Sequence, residues 1–367
     1  MKILIHTMHT SRSVGASLQS CALGNKLKEM GHEPWLLYFT PDGYCDVLSH
    51  QKTYKGLKYL LYKHRLMKLN ERFAEFKKAF HPPLTEKYTS DNELNRNPPV
   101  FPIYICGSDQ VWNPRIVNYS ESYFFTFAPQ NSIKMSYAAS IGLDTPTERE
   151  TEFLKSGIPN MDYVGVREDT AVSLLKEILP DTPVSQNIDP TFFLDAGMWK
   201  EKAFPVRKKL PEKYILYYPM QITDDGDRIL GELKKRTGLP CVSFTGALRK
   251  PKGSDIDLKA IGPGEFLTLC CNADTVLTNS FHGMALSVIF RKKLIIYTKS
   301  GQNSRMESLA RLLGLNELLT YGFDEYRNKD WKKIWSSCYE GIQDIIDSEC
   351  AKAAEFLDKG IKLYEQH

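Results

Sequence analysis

The segment Thr278-Asn279-Ser280-Phe281-His282-Gly283 holds the most informative chemistry in this sequence. Asn279 or Ser280 is a good helix N-cap, which puts His282 in a first turn whose free backbone N–H groups and dipole attract an anion such as phosphate. A histidine there can donate to a phosphate or move a proton; it can equally pack or hydrogen-bond at a helix start. Arg167 follows the apolar Tyr163-Val164-Gly165-Val166 and precedes a helix. Its planar guanidinium suits a carboxylate or phosphate, or else a structural ion pair with Glu168 or Asp169. Asp109, in Gly107-Ser108-Asp109-Gln110-Val111-Trp112, comes just after a glycine that permits a tight turn. Its carboxylate either reaches a substrate hydroxyl as a base or caps the next turn.

Other chemistry is thinly represented. There is no GxGxxG, Walker A, HExxH or GxSxG pattern. His6 and His9 have the spacing of a metal pair but stand in a polar loop without a carboxylate. Asp255-Ile256-Asp257 has the form of a metal-holding Asp-x-Asp, yet its lysine- and glycine-rich surroundings read as a solvated loop. No metal and no cofactor are expected.

These residues need elements to position them, and the hydropathy pattern supplies an alternation. Residues 2–6 read as a strand, 18–30 as a helix stopping at Gly31, and 34–39 as the next strand, a βαβ opening that favours a parallel sheet covered on both faces. Strands are expected again at 100–106, 133–139, 163–166 and 184–188, with helices at 147–155 and 170–178. A second series follows: strands at 214–218, 240–244, 275–277 and 293–297, with helices at 227–236, 264–272 and 281–290. The domains read as 1–198 with a basic helical insertion at 51–98, a linker at 199–213, a second domain at 214–330, and terminal helices at 331–367. Six polar clusters then fall at strand ends, after 106, 139, 166, 188, 277 and 297, where doubly wound sheets bind ligands. Two such domains make a cleft, and the last cluster, 299–305, adds Arg305 to its rim.

Composition bounds the rest. At 367 residues, with 42% hydrophobic and 25% charged, the chain is an ordinary globular protein of about two domains. Its 48 basic and 44 acidic residues leave a net charge of +4, too balanced to argue for nucleic acid. Eight scattered cysteines form no metal-binding or disulfide framework and are expected to be reduced. No apolar run approaches the roughly 18 residues of a spanning helix, and the first residues lack a signal-like apolar core, so a cytoplasmic protein is expected. Between 52 and 78, nine Lys and Arg face only Glu71 and Glu75. With Tyr54, Leu57, Leu61 and Leu69 interleaved at helical spacing, this is either a helix with one packed and one solvated face, or a surface for anionic lipid head groups or a pyrophosphate-linked acceptor at the inner face of the membrane.

Five motifs in order carry a resemblance. Gly107-Ser108-Asp109-Gln110-Val111-Trp112-Asn113-Pro114, Tyr137-Ala138-Ala139-Ser140-Ile141-Gly142, Val166-Arg167-Glu168-Asp169, Asp189-Pro190-Thr191-Phe192 and Thr278-Asn279-Ser280-Phe281-His282-Gly283 are similar to those of polysaccharide pyruvyltransferases. The opening Gly15-Ala16-Ser17-Leu18-Gln19 also resembles that family's, and the likeness spans roughly residues 1 to 315. It implies an α/β fold of two Rossmann-like domains resembling GT-B glycosyltransferases. It also implies transfer of a pyruvyl group from phosphoenolpyruvate onto two hydroxyls of a sugar as a cyclic ketal, in cell-surface polysaccharide or glycolipid-precursor synthesis. Arg167 and His282 match the family's donor-holding arginine and histidine. Several relatives carry an arginine where this chain has Ser280, so Arg305 is the candidate for the missing charge. The donor residues are then Arg167, Ser280, His282, Gly283 and Arg305. The acceptor, a lipid-linked sugar or oligosaccharide, is assigned to Gly15, Ser108, Asp109, Gln110 and Ser140, with His282 as general acid and Asp109 as base. The alternatives are a nucleotide-sugar glycosyltransferase of the same architecture, or a homologue that binds sugar or anion without turnover.

Overall fold

The structure is a computed structural model that describes residues 1–41, 57–245, 250–298 and 304–366 of the chain. Two compact units divide it: unit 1 is Met1–Asp46, Phe80–Phe193 and Ile345–His367, and unit 2 is Val47–Ala79 and Leu194–Asp344. The sequence pattern places one boundary at 198 and a linker at 199–213; the contacts divide the chain after Phe193. They also split the 51–98 insertion and the terminal helices between the units.

Unit 1 is built on β1 (Lys2–His6), β2 (Glu33–Phe39), β3 (Leu84–Tyr88), β4 (Ile103–Cys106) and β5 (Ile133–Ser136), all parallel, in the order β3-β2-β1-β4-β5. Ile3, Leu4, Ile5 and every residue of β4 are fully buried, as strands covered on both faces require. Further along, β6 (Val164–Val166) pairs with β7 (Val184–Gln186). Single bridges Met135–Tyr163 and Ala139–Val166 continue the sheet from β5 to β6. The ladder breaks between these bridges, and the Ser136 hydroxyl fills the gap, accepting from Gly165 N–H at 2.9 Å and donating to its carbonyl at 3.1 Å. The edge strand β3, with its charged Thr-Glu-Lys interior, is absent from the sequence reading. Residues 345 onward belong to unit 1 because Phe356 packs on Gly165 and stacks on Tyr163 at 4.3 Å between ring centres.

In unit 2, β8 (Ile215–Tyr218), β9 (Cys241–Phe244), β10 (Ile256–Leu258), β11 (Thr275–Thr278), β12 (Lys293–Tyr297) and β13 (Leu319–Thr320) form one parallel sheet ordered β10-β9-β8-β11-β12-β13. The helix Asp224–Thr237 starts on three aspartates, ends on Lys234, Lys235 and Arg236, and closes at Gly238 with φ 69°, all in accord with its dipole and its left-handed cap. The Asp-x-Asp at 255–257 is no solvated loop. Asp255 accepts from the Cys241 N–H and Lys234, and Asp257, on β10, from the Ser243 hydroxyl. The long helix Leu57–Phe80 buries Leu69, Phe73 and Phe76, donates from Arg65 Nε to the Lys259 carbonyl at 2.7 Å, and pairs Arg72 with Glu265 at 2.7 Å. The first residues of the basic stretch, 52–56, lie outside the described residues.

Among the described residues no helix is long and apolar enough to cross a membrane. The seven described cysteines are all free, and Cys21, Cys106, Cys241 and Cys270 are buried. Each sheet reverses its strand order once, between β1 and β4 in unit 1 and between β8 and β11 in unit 2. A crevice opens outside the carboxyl ends of strands at such a reversal.

A Cβ on Gly165 would stand 2.0 Å from Asn187 Oδ1 and 2.7 Å from the Phe356 ring, whereas one on Gly231, inside the helix Asp224–Thr237, meets nothing within 4 Å. Thermal unfolding is expected to show Gly165→Ala losing about 1–3 kcal/mol and Gly231→Ala gaining about 0.4–1 kcal/mol.

Candidate active site

The rim of unit 1 is organised by loops leaving β1 and β4. At Gly107, φ is 120° and a Cβ would lie 2.3 Å from the Tyr137 carbonyl oxygen, so this position requires glycine. The chain can therefore press Ser108 against its neighbours. The Ser108 N–H donates to Gln19 Oε1 at 3.1 Å and its carbonyl accepts from the Thr7 hydroxyl at 2.7 Å. Its own hydroxyl reaches the Ala138 carbonyl at 2.9 Å and Asp189 Oδ2 at 3.0 Å, donating its one proton to either.

Asp189 is the meeting point. Its Oδ2 also accepts from Arg167 Nη1 at 2.9 Å, and its Oδ1 from the Thr191 N–H and hydroxyl at 3.0 and 2.8 Å. Arg167 Nε stands 3.5 Å from Glu168 Oε1, which the Ser140 hydroxyl also approaches. The side chains of Arg167, Glu168 and Asp189 are 3%, 1% and 0% exposed. Burial opposes the guanidinium charge, but Glu168, Asp189 and Asp109 outweigh it and hold the Arg167 pKa above its ordinary value. Of the two readings of Arg167, the structure displays the ion pair, with Glu168 and Asp189 as partners.

Asp109, with φ 80°, uses Oδ1 to accept from the Gln110 N–H at 2.9 Å, the local turn contact. Its carbonyl takes the Ser140 N–H at 2.9 Å, so Ser108, Asp109, Ser140 and Arg167 form one buried cluster. Gln110 accepts from Asn113 Nδ2 beside Gly142, and Gly15 lies in the first turn of the helix Val14–Glu29, on the β1 side of the same rim. His6 and His9 are not a metal pair. The His6 ring stacks on Tyr123 at 4.0 Å and bonds the Ser122 hydroxyl, with its pKa pushed well down by burial and by His9, while His9 Nε2 meets the Leu37 carbonyl. Among the described residues no group of three or more His, Cys, Asp or Glu side chains could hold a metal ion.

In unit 2, β11 delivers its loop to the helix Phe281–Ile289. Ser280 is the N-cap, its hydroxyl accepting from the Gly283 N–H at 3.4 Å. Asn279 does a different job: Oδ1 accepts from the Met220 N–H at 2.7 Å and Nδ2 donates to the Gln221 carbonyl at 3.1 Å. His282 sits in the first turn, 8% exposed and edge-on to Phe281. Gly283 leaves room for Thr278 and Tyr218, since a Cβ there would lie 2.6 Å from Thr278 Oγ1 and 3.0 Å from the Tyr218 ring. Tyr218, beside Ser280 and stacked on Phe244, has its phenol raised to about 12 by burial, so it stays a neutral O–H. Arg305 is the second residue of the helix Ser304–Leu312 that follows β12; residues 299–303 of that cluster lie outside the described residues.

Sequence reasoning named the 189–190 rim and the opening motif but gave Asp189 and Gln19 no role, and it passed over Thr7 and Tyr218. The available signal for Gln19 was a polar amide in an otherwise small and apolar helical stripe.

The family model for polysaccharide pyruvyl transferase matches residues 14–299. No curated protein matches the chain. Among solved structures, UDP-GlcNAc 2-epimerase from Rickettsia bellii is 13% identical, with a TM-score of 0.53 over 98% of this chain and 97% of that one. UDP-GlcNAc 2-epimerase from Neisseria meningitidis, bound to UDP-GlcNAc, is 12% identical, at 0.51 over 98% and 99%. Anabaena HepE in complex with UDP-glucose is 10% identical, at 0.50 over 100% and 98%. These likenesses are of fold: α/β, with two Rossmann-like units of the kind found in GT-B enzymes.

Removing Asp189 strips a buried guanidinium of one of its two nearest counter-charges. Asp189→Ala is expected to lose about 3 kcal/mol in chemical denaturation, with Asp189→Asn losing less and Ser280→Ala losing about 1 kcal/mol of cap energy.

Proposed function

This chain belongs to the polysaccharide pyruvyl transferase family, and we propose that it moves a pyruvyl group from phosphoenolpyruvate onto two hydroxyls of a sugar, closing a cyclic ketal. The observation that carries the reading is the amino end of the helix Phe281–Ile289 at the strand-order reversal of unit 2. Ser280 caps it, His282 lies in its first turn, and that turn contains no acidic residue. Such an end favours a compact anion.

In this proposal His282 protonates the methylene carbon of phosphoenolpyruvate while a sugar hydroxyl attacks the adjacent carbon, giving a tetrahedral ketal phosphate. Phosphate then leaves with the C–O bonding pair, and the second hydroxyl closes the ring as it gives its proton to His282, which is restored as the acid. An imidazole suits this step because it titrates near neutral pH. Asp109 takes the proton of the attacking hydroxyl. Ser280, Gly283 and Arg305 hold the donor together with Arg167. Because Asp189 and Glu168 already pair with Arg167, the donor's negative charge also calls on Arg305 and the helix end. Gly15, Ser108, Gln110 and Ser140 receive the acceptor; a rim rich in carboxylates and hydroxyls accords with sugar hydroxyls, which it can meet as acceptor and donor.

The helix Leu57–Phe80 supports a second element of the reading. Leu60 and Met67, 60% and 53% exposed, share a helical stripe with exposed Lys63, His64 and Lys68, the composition of a face that meets anionic lipid. We place the enzyme at the cytoplasmic face of a membrane, working on a lipid-linked acceptor.

Phosphate release from phosphoenolpyruvate, screened against lipid-linked and nucleotide-linked sugars, is the direct test. Wild type is expected to turn over with at least one acceptor, and His282→Ala to lose about 10²-fold or more in rate. Thermal stabilisation by UDP-sugars and none by phosphoenolpyruvate would favour a nucleotide-sugar glycosyltransferase instead, and stabilisation without turnover a binding homologue. For the membrane face, the double variant Leu60→Glu, Met67→Glu is expected to abolish co-sedimentation with phosphatidylglycerol vesicles; sedimentation equal on neutral and anionic vesicles would reject it.

A further inference from the structure

In each unit an amide side chain ties together the two loops at the strand-order reversal, Gln19 from the helix after β1 and Asn279 from the loop after β11. In unit 1 the loops at the strand-order reversal leave β1 and β4, and Gln19 joins them: Nε2 donates to the Thr7 hydroxyl at 2.7 Å and to the Ala16 carbonyl at 3.2 Å, while Oε1 accepts the Ser108 N–H at 3.1 Å. The Thr7 hydroxyl in turn donates to the Ser108 carbonyl at 2.7 Å, closing a circuit of three hydrogen bonds among Gln19, Thr7 and Ser108. Gln19 and Ser108 are fully buried and Thr7 nearly so. In unit 2 the corresponding loops leave β8 and β11, and Asn279 joins them through Met220 and Gln221.

We infer that Gln19 and Asn279 are positioning residues for the two substrates. Gln19 sets Ser108 on the acceptor rim, and Asn279 sets the turn that presents Ser280 and His282 to the donor. This rests on the function proposed above. A primary amide is the side chain that can do this, because it donates and accepts at once and so pairs with a backbone N–H and a backbone carbonyl, or with a hydroxyl and an N–H, as a neighbouring strand would. Beyond the ends of the paired strands the ladder bonds stop, and these amides continue them into the loops. A buried amide spent on three partners, as in Gln19, is costly to leave half-satisfied, so the loop geometry is tightly specified. Displacements near 1 Å at a reacting centre cost on the order of 10²-fold in rate, which makes such bracing consequential for catalysis.

The test compares Asn279→Ala with Gln19→Met, using Thr7→Val as a second break in the unit 1 circuit should Gln19→Met fail to fold. With the acceptor selected by the phosphate-release screen, Asn279→Ala is expected to raise the KM for phosphoenolpyruvate about tenfold or more and leave the acceptor KM within about twofold. Gln19→Met or Thr7→Val is expected to do the reverse. Changes equal for both substrates and tracking a fall in Tm, or no change in either KM, would overturn the inference. Hydrogen exchange at the Ser108 and Met220 amides provides a readout free of turnover, expected to quicken about tenfold in the matching variant. If wild type releases no phosphate, the proposed reaction fails on its own account and the exchange result decides the clamps: unchanged protection at Ser108 and Met220 rejects them.

Discussion

A buried guanidinium must find its counter-charge inside the protein, and for Arg167 that comes from Asp189 and Glu168. The pairing does more than neutralise. Asp189 also receives Ser108 and Thr191, Glu168 receives Ser140, and Ser108 is gripped from the other side by Gln19 and Thr7. Loops leaving β1, β4, β5, β6 and β7 thus share one hydrogen-bond network, in which the bonds to Asp189 and Glu168 are charge-assisted and stronger than neutral ones. The strands bring the loops to one edge; the ion pair makes them a single surface.

That surface differs in character from its counterpart in unit 2. Around Arg167, the carboxylates of Asp109, Glu168 and Asp189 outnumber the single guanidinium. The unit 2 rim has the reverse bias, with backbone N–H groups at a helix start, a histidine and no acidic side chain in that turn.

Much of this was legible in the residues. Continuous apolar runs announced β1 and β12, whose bounds the pattern matched residue for residue, and the strand-end placement of Ser108, Arg167 and His282 followed from that alternation. Three kinds of feature were hidden. Edge strands carry charge, so the pattern places β3 in the helical insertion 51–98 and reads β10 as a loop, and Asp255-Ile256-Asp257 in particular looked solvated because its pairing with β9 is a tertiary fact. Partners distant in sequence were also invisible: nothing local singles out Asp189 over Asp169 for Arg167. The choice between Asn279 and Ser280 as helix cap depended on the 220–221 loop, which draws the asparagine amide away and leaves the cap to the serine.

The path of the backbone has an implication for biogenesis. Unit 1 is assembled from three separated stretches, the last beginning at Ile345, and Phe356 from that stretch covers Gly165 and Tyr163. On the ribosome, the sheet carrying Arg167 therefore waits with one apolar flank bare while more than a hundred further residues are synthesised. During that interval a nascent chain is exposed to chaperones and to aggregation, and a shortened product ending near 198 would retain the motifs of unit 1 without the helix that covers Gly165 and Tyr163.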